Sequence, residues 1–144
     1  MTSNDITNNI IDDFSLQQAF ASDAKPASEL VDVAVLARLR SHFDDRESAL
    51  FNDLIALFIS ELPRRLGAIR TAIARADAKG MAAAAHALRG SSMLVGAPAV
   101  AEMCLEIELA ASSATTAQAQ AVLPLLEDEA ARVRQALTAV IRGW

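Results

Sequence analysis

From Leu50 to Ile73 the chain keeps one apolar rhythm. Leu50, Leu54, Leu57, Phe58, Ile59, Leu62, Leu66, Ile69 and Ile73 follow one another mostly at three or four positions. That spacing collects side chains on one side of a 3.6-residue helix, whereas a half-buried strand alternates every second residue. Pro63 falls inside the rhythm, which resumes at Leu66, so the spacing predicts a kinked or interrupted helix rather than a loop. Little else interrupts the sequence, with five glycines and four prolines in 144 residues. Hydrophobic residues make up 53 % of the chain and aromatic ones only 4 %, much of the remainder being Ala, Leu, Ile and Val. Alanine and leucine head the helix-propensity ranking. The expectation is an all-α chain, long enough to bury its own core as one domain.

The same reading places the other elements. Residues 31–144 are expected to form the main domain, with 1–30 as an extension. In that extension Ile6, Ile10, Ile11, Phe14 and Phe20 fit one face of a short helix, and Ala21–Ser28 reads as a linker. A short helix through Val33, Leu36 and Leu39 has Asp32 as its N-cap and stops near Ser41–Asp45. After the long helix, Asp77-Ala78-Lys79-Gly80 marks a break, and Met81 to about Val95 forms another helix. Gly96-Ala97 ends it, and Pro98 suits the first turn of the next, which runs to about Ala110. Ser112–Thr116 is a polar turn before a last helix from Leu123 to Ile141, with Val133, Leu137 and Val140 as its stripe. Four long helices with short connections predict an antiparallel four-helix bundle, with one or more short N-terminal helices added.

Charge and composition remove several function classes. A net charge of −5 lacks the basic face that a nucleic-acid binder presents to phosphates. No apolar run reaches the roughly 18 residues of a membrane span, and no basic stretch followed by an apolar core opens the chain, so direct membrane contact is not expected. The single Cys104 cannot form an intrachain disulfide and reads as a small buried hydrophobe. These features fit a cytoplasmic protein.

The informative stretch is A-A-A-A-H-A-L-R-G-S-S-M-L-V-G-A, residues 82–97. On a helix, Met81, Ala84, Ala85, Leu88, Ser92 and Val95 gather on the core side, and His86 lies toward its flank. The neighbours of His86 at three and four residues are Ala82, Ala83, Arg89 and Gly90: small side chains plus one cation. A histidine buried for structure would have large apolar neighbours and a polar partner. Here the imidazole stands clear, although helical geometry alone equally suits a bland, partly exposed histidine on an alanine-rich face. Gly90 costs about 1 kcal/mol against alanine in a helix interior, and a glycine in that position often admits close approach of another molecule. Arg89 supplies positive charge one turn on, suited to a phosphoryl group. Imidazole, with a reference pKa of about 6.5, is a competent nucleophile near neutral pH. His42 reads as a turn residue beside Phe43. No second histidine or cysteine stands at metal-ligand spacing to His86, and Ser91 and Ser92 lack the orienting group and oxyanion motif of a nucleophilic serine.

The order H-A-L-R-G-S-S-x-x-x-G-A, followed by A-x-x-C-x-x-x-E, resembles the signature of histidine-containing phosphotransfer (HPt) domains. The matching residues are His86, Leu88, Arg89, Gly90, Ser91, Gly96, Ala97, Cys104 and Glu108, and the upstream helix at 57–77 is also similar, so the resemblance spans about residues 31–141. It implies that His86 accepts a phosphoryl group on the ring nitrogen remote from the backbone. Arg89, where the family more often has lysine, would supply charge, Gly90 would let a receiver domain dock, and Glu108 would orient the ring. Ala82, Ala83, Gly90 and Met93 would form the docking patch. Geometry bears on Glu108 separately. Ala97, Ala101, Cys104 and Leu105 are expected to form an inward stripe that Glu108 continues, and a carboxylate there either bonds a ring N–H of His86 or lies solvated at the rim.

No Walker A sequence, G-x-G-x-x-G or kinase motif is present, so ATP is not the expected donor. The resemblance implies a phosphocarrier without its own cofactor, relaying a phosphoryl group between aspartates of receiver domains in hybrid sensor kinases and response regulators. Those partners bring their own Mg²⁺ and lysine. The competing reading is a helical module that binds receivers or other signalling proteins without transfer. A kinase dimerisation domain fits less well, because such domains place an acidic residue beside the histidine and His86 has alanine on both sides. A monomer is expected, with residues 6–20 as a route to self-association.

Overall fold

The structure is a computed structural model in which residues 30–113 and 116–143 are described. The expected helix at 6–20, the linker at 21–28 and Trp144 lie outside the described residues. A short helix α1 (Val33–Arg40) leads through a 3₁₀ turn (Asp45–Glu47) into α2 (Ser48–Ala74). Then follow α3 (Ala78–Leu94), α4 (Pro98–Ser112) and α5 (Ala117–Arg142). The four long helices make an all-α bundle in which α2 packs on α3, α3 on α4, α4 on α5 and α5 back on α2. Short connections make neighbours antiparallel. One end of the bundle therefore holds the start of α2, the α3–α4 link and the end of α5. The other holds the α2–α3 and α4–α5 links.

Local chemistry sets these boundaries. Asp32 caps α1 by accepting from the backbone N–H groups of Ala34 and Val35. Asp44 and Glu47 form a reciprocal capping box at the 3₁₀ turn, and Asp77 caps α3 by accepting from Gly80 N–H. The expected break at 77–80 is thus shorter: Asp77 is the cap and Gly80 already belongs to the first turn. Pro98 occupies the first turn of α4, where its missing N–H leaves no bond unmade. α2 and α5 run through Pro63 and Pro124, so Pro63 ends nothing and α5 begins six residues before Leu123. α4 extends to Ser112, beyond Ala110.

The core is drawn from all five helices. In α2 the buried residues are Phe51, Ile55, Phe58, Leu62, Ile69, Ala72 and Ile73. Leu50 and Leu57, included in the expected stripe, are exposed. Two apolar stripes run side by side on this helix, one through Leu50, Leu54 and Leu57 and one through Phe51, Ile55, Phe58 and Leu62. The one led by Phe51 is buried, because Phe51 meets Phe43 edge-on with ring centroids 5.9 Å apart and the Arg40 guanidinium covers it. Leu105 is a second correction. It is 39 % exposed, and the inward stripe of α4 is Val100, Ala101, Cys104, Ile107, Ala110 and Ala111. In α3, Met81, Ala85, Leu88 and Ser92 are buried as the periodicity predicts, and Ala84 is half-buried against the core.

Gly96 joins α1 to the bundle. Its φ is +75°, and a Cβ there would lie 2.8 Å from the Asp32 carbonyl oxygen and 3.1 Å from the Val35 side chain. Glycine alone meets both demands, a left-handed backbone and a backbone neighbour at contact distance. Asp32 N–H donates to the Gly96 carbonyl at 2.6 Å across this junction. The chain thus enters the bundle at the end that holds the α3–α4 link.

Candidate functional site

The core face of α3 fixes where His86 points. Met81, Ala85, Leu88 and Ser92 face inward, so residue 86 projects sideways along the α3–α4 seam. Its side chain is 70 % exposed. Across the seam, Glu108 of α4 is 18 % exposed. One carboxylate oxygen of Glu108, Oε1, lies 3.3 Å from His86 Nδ1. The other, Oε2, accepts from Arg89 Nε at 2.6 Å. Arg89 Nη2 also lies 3.4 Å from His86 Nδ1. The sequence left Glu108 either bonded or solvated at the rim; it lies between the two α3 side chains.

These contacts select a tautomer. Burial pushes the Glu108 carboxyl up, but the hydrogen bonds and charge of Arg89, then of His86, hold it net below the usual carboxylate range. Glu108 is therefore an anion, an acceptor only, and its Oε1 favours a proton on Nδ1. A protonated Nδ1 cannot accept from Arg89 Nη2, so that approach is a proximity of charge rather than a hydrogen bond. Nε2 carries a lone pair, and among the described residues it has no partner. The result is an exposed nucleophilic nitrogen on a ring held from behind, with a guanidinium beside it.

The surroundings differ by residue. Ala83, Gly90 and Met93 are exposed on α3, Met93 to 59 %. A Cβ added to Gly90 would meet nothing within 4 Å, so no packing within the chain calls for glycine there. Ala82 is half-buried against the core and offers less free surface than Ala83. Two residues of the patch were missed by sequence reasoning. Leu105 stands one turn before Glu108 on α4, and Leu109 follows it directly; both are exposed. Their signal was their offset from the Val100–Cys104–Ile107 stripe, which leaves them outward. Leu94, also exposed, ends α3 close to Met93. Large apolar side chains left in water beside a reactive group mark an interaction surface.

Cys104 lies fully buried beneath this site. Burial, and then the negative charge of Glu108, push its thiol up to about 12 against the partial relief of Arg89, so it is inert as a nucleophile. Ser91 Oγ bonds back to the carbonyls of Ala87 and Leu88 and takes no part in the site. His42 is exposed in the turn after α1.

Comparison with known proteins bears on this arrangement. The Hpt domain family matches residues 53–141. A search among curated proteins returned no match. Among solved structures, histidine-containing phosphotransfer protein B from Pseudomonas aeruginosa PAO1 is similar, with 27 % identity and a TM-score of 0.72 over 80 % of this chain and 96 % of that one. The HPT domain of a sensor hybrid histidine kinase from Shewanella is similar at 25 % identity and a TM-score of 0.62, over 77 % of this chain and 92 % of that one. The match takes in α3, α4 and both sides of the His86 seam, and this chain belongs to the Hpt domain family, the histidine phosphotransfer modules that work with receiver domains in two-component phosphorelays.

Proposed function

We propose that His86 is the phosphoacceptor, Arg89 its electrostatic support and Glu108 the residue that orients it, in a relay between aspartates of two receiver domains. The observation that carries this reading is the exposed imidazole whose Nδ1 faces the Glu108 carboxylate, leaving Nε2 outward.

In the forward step the Nε2 lone pair attacks the phosphorus of an aspartyl phosphate in line. The N–P bond forms as the P–O bond to the aspartate breaks, and the carboxylate leaves with the electron pair. The ring keeps its Nδ1 proton and becomes a cation, which Glu108 stabilises without a proton transfer. The phosphoryl oxygens gain the nearby charge of Arg89. Transfer to a second aspartate reverses these changes and returns a neutral imidazole. The receiver contributes its own Mg²⁺ and lysine, and the bundle contributes position. Docking falls to Ala83, Gly90 and Met93, with Ala82 beneath them and Leu105 and Leu109 added from α4. We place the transfer domain at residues 31–144 and read it as a cytoplasmic monomer. Among the described residues no helix is long and apolar enough to cross a membrane.

The test is incubation with a phosphorylated cognate receiver. The chain should acquire base-stable, acid-labile label, and His86→Ala should acquire none while keeping its helical circular dichroism. Label reaching His86→Ala at the same rate would overturn the assignment. Failure of the wild-type chain to accept label would favour a binding module without transfer.

A further inference from the structure

A proton on Nδ1 is not the default for a histidine. A solvated neutral side chain prefers to carry its proton on Nε2, the nitrogen that must stay bare here to react. The site has to reverse that preference through the bond it offers Nδ1. Glu108 Oε1 faces Nδ1 at 3.3 Å, just beyond the usual range of an N–H···O bond, and the ring is 70 % exposed. A contact of that length works only if the carboxylate is kept from swinging toward water.

Arg89 keeps it there. Its Nε donates to Glu108 Oε2 at 2.6 Å, the shortest contact in the site. Both side chains are largely shielded, Arg89 at 28 % and Glu108 at 18 % exposure. Among the described residues, the Glu108 carboxylate has no partners besides Arg89 and His86. Ring and guanidinium stand three residues apart on one rigid helix, whereas the carboxylate arrives from another. The guanidinium is a planar fork. Its Nε–Nη2 edge is turned to Glu108 and the ring, and Nη1 has no partner among the described residues. Lysine offers a single mobile ammonium with no fixed edge to divide between two tasks.

The same geometry gives Arg89 an opposite effect once the carboxylate is gone. Nη2 lies 3.4 Å from Nδ1, and with Glu108 removed it is the donor left beside that nitrogen. A ring nitrogen that accepts cannot hold the proton.

We propose that Arg89 is a positioning residue that acts through Glu108. Its Nε clamps the carboxylate where Oε1 holds the proton on Nδ1, so Arg89 sets the share of rings whose Nε2 can attack. Nη1 remains for the phosphoryl oxygens. This deepens the phosphoacceptor reading and rests on it only for the effect on transfer.

The experiment reads the ring directly. Long-range ¹H–¹⁵N spectra of the full chain, with ¹⁵N-histidine, distinguish the protonated from the bare nitrogen. They are recorded at about pH 8.5, about two units above the reference imidazole value of about 6.5. His42, exposed in the turn after α1, is the internal reference. Wild-type His86 should carry its proton mainly on Nδ1, and His42 on Nε2. Arg89→Lys and Arg89→Gln should each lower the Nδ1–H to Nε2–H ratio of His86 by about two- to tenfold, the range for one partly exposed, charge-assisted bond, with helical circular dichroism unchanged. In a Glu108→Ala background, Arg89→Gln should leave the ratio unchanged or raise it. A wild-type ring with its proton on Nε2 overturns the proposal. So does a wild-type ratio in Arg89→Lys, which makes charge sufficient without the fork, or an equal fall with and without Glu108, which puts Arg89 on the ring directly. Label transfer to Arg89→Lys should slow at least in proportion to the lost Nδ1–H share. Ring spectra as expected, with no transfer to any chain, would count against the phosphoacceptor reading and leave the clamp standing.

Discussion

Replacing Glu108 by glutamine separates charge from hydrogen bonding at the site. The amide keeps an acceptor for His86 Nδ1–H and fills nearly the same space, but it removes the anion that faces the ring. In the proposed transfer the ring becomes a cation, and Glu108 Oε1 lies 3.3 Å from its nitrogen. With charge centres about 4 Å apart, the attraction is about 1 kcal/mol in water and about 2 kcal/mol at half that dielectric. The 70 % exposure of His86 argues for this aqueous end of the scale. The equilibrium between phosphohistidine and receiver aspartyl phosphate should therefore move against the histidine by about five- to thirtyfold, since about 1.4 kcal/mol is tenfold. The assay is the partition of label between the two proteins at equilibrium, with circular dichroism showing that the bundle is intact. Glu108→Ala should be worse, because it also frees the ring and strands Arg89. If Glu108→Gln leaves the partition within twofold of wild type while Glu108→Ala abolishes transfer, the carboxylate acts by orientation alone and the charge argument is wrong.

Gly90→Ala should stabilise the bundle by about 0.5–1 kcal/mol, because the added methyl meets nothing, yet slow transfer by obstructing the receiver; urea midpoints and transfer rates measure the two effects, and unchanged transfer in Gly90→Leu would remove Gly90 from the docking surface. Gly96→Ala should cost at least about 1–2 kcal/mol by urea unfolding, since it pairs a positive φ with a Cβ 2.8 Å from the Asp32 carbonyl. Glu108 titrates below its ordinary value in the folded chain, so its contribution to stability is complete above the usual carboxylate range and is lost as pH falls through the depressed value. The urea-midpoint difference between wild type and Glu108→Gln should thus shrink as the medium is acidified, and a constant difference would contradict the ion-pair account. Cys104, with its thiol at about 12, should resist iodoacetamide at pH 8 until the chain unfolds, as mass spectrometry would show.

Much of this molecule was legible in one dimension. The 3.6-residue recurrence of apolar side chains specified long helices, and Asp32 and Pro98 marked starts because capping and a missing N–H are local effects. His86 stood out through its neighbours, since residues three and four apart on a helix share a face whatever the tertiary fold. Periodicity could not choose between two adjacent apolar stripes on α2. That choice depended on Phe43 and Phe51 meeting from separate elements. Nor could it place Leu105 and Leu109, which sit outward only because α3 and α5 cover the other side of α4. The pairing of Glu108 with both His86 and Arg89 spans two helices and joins residues 22 and 19 positions apart. Sequence supplied the chemical groups and their helical faces. Only packing α4 against α3 brought the carboxylate within hydrogen-bond reach of the ring and left Nε2 as the nitrogen free to react.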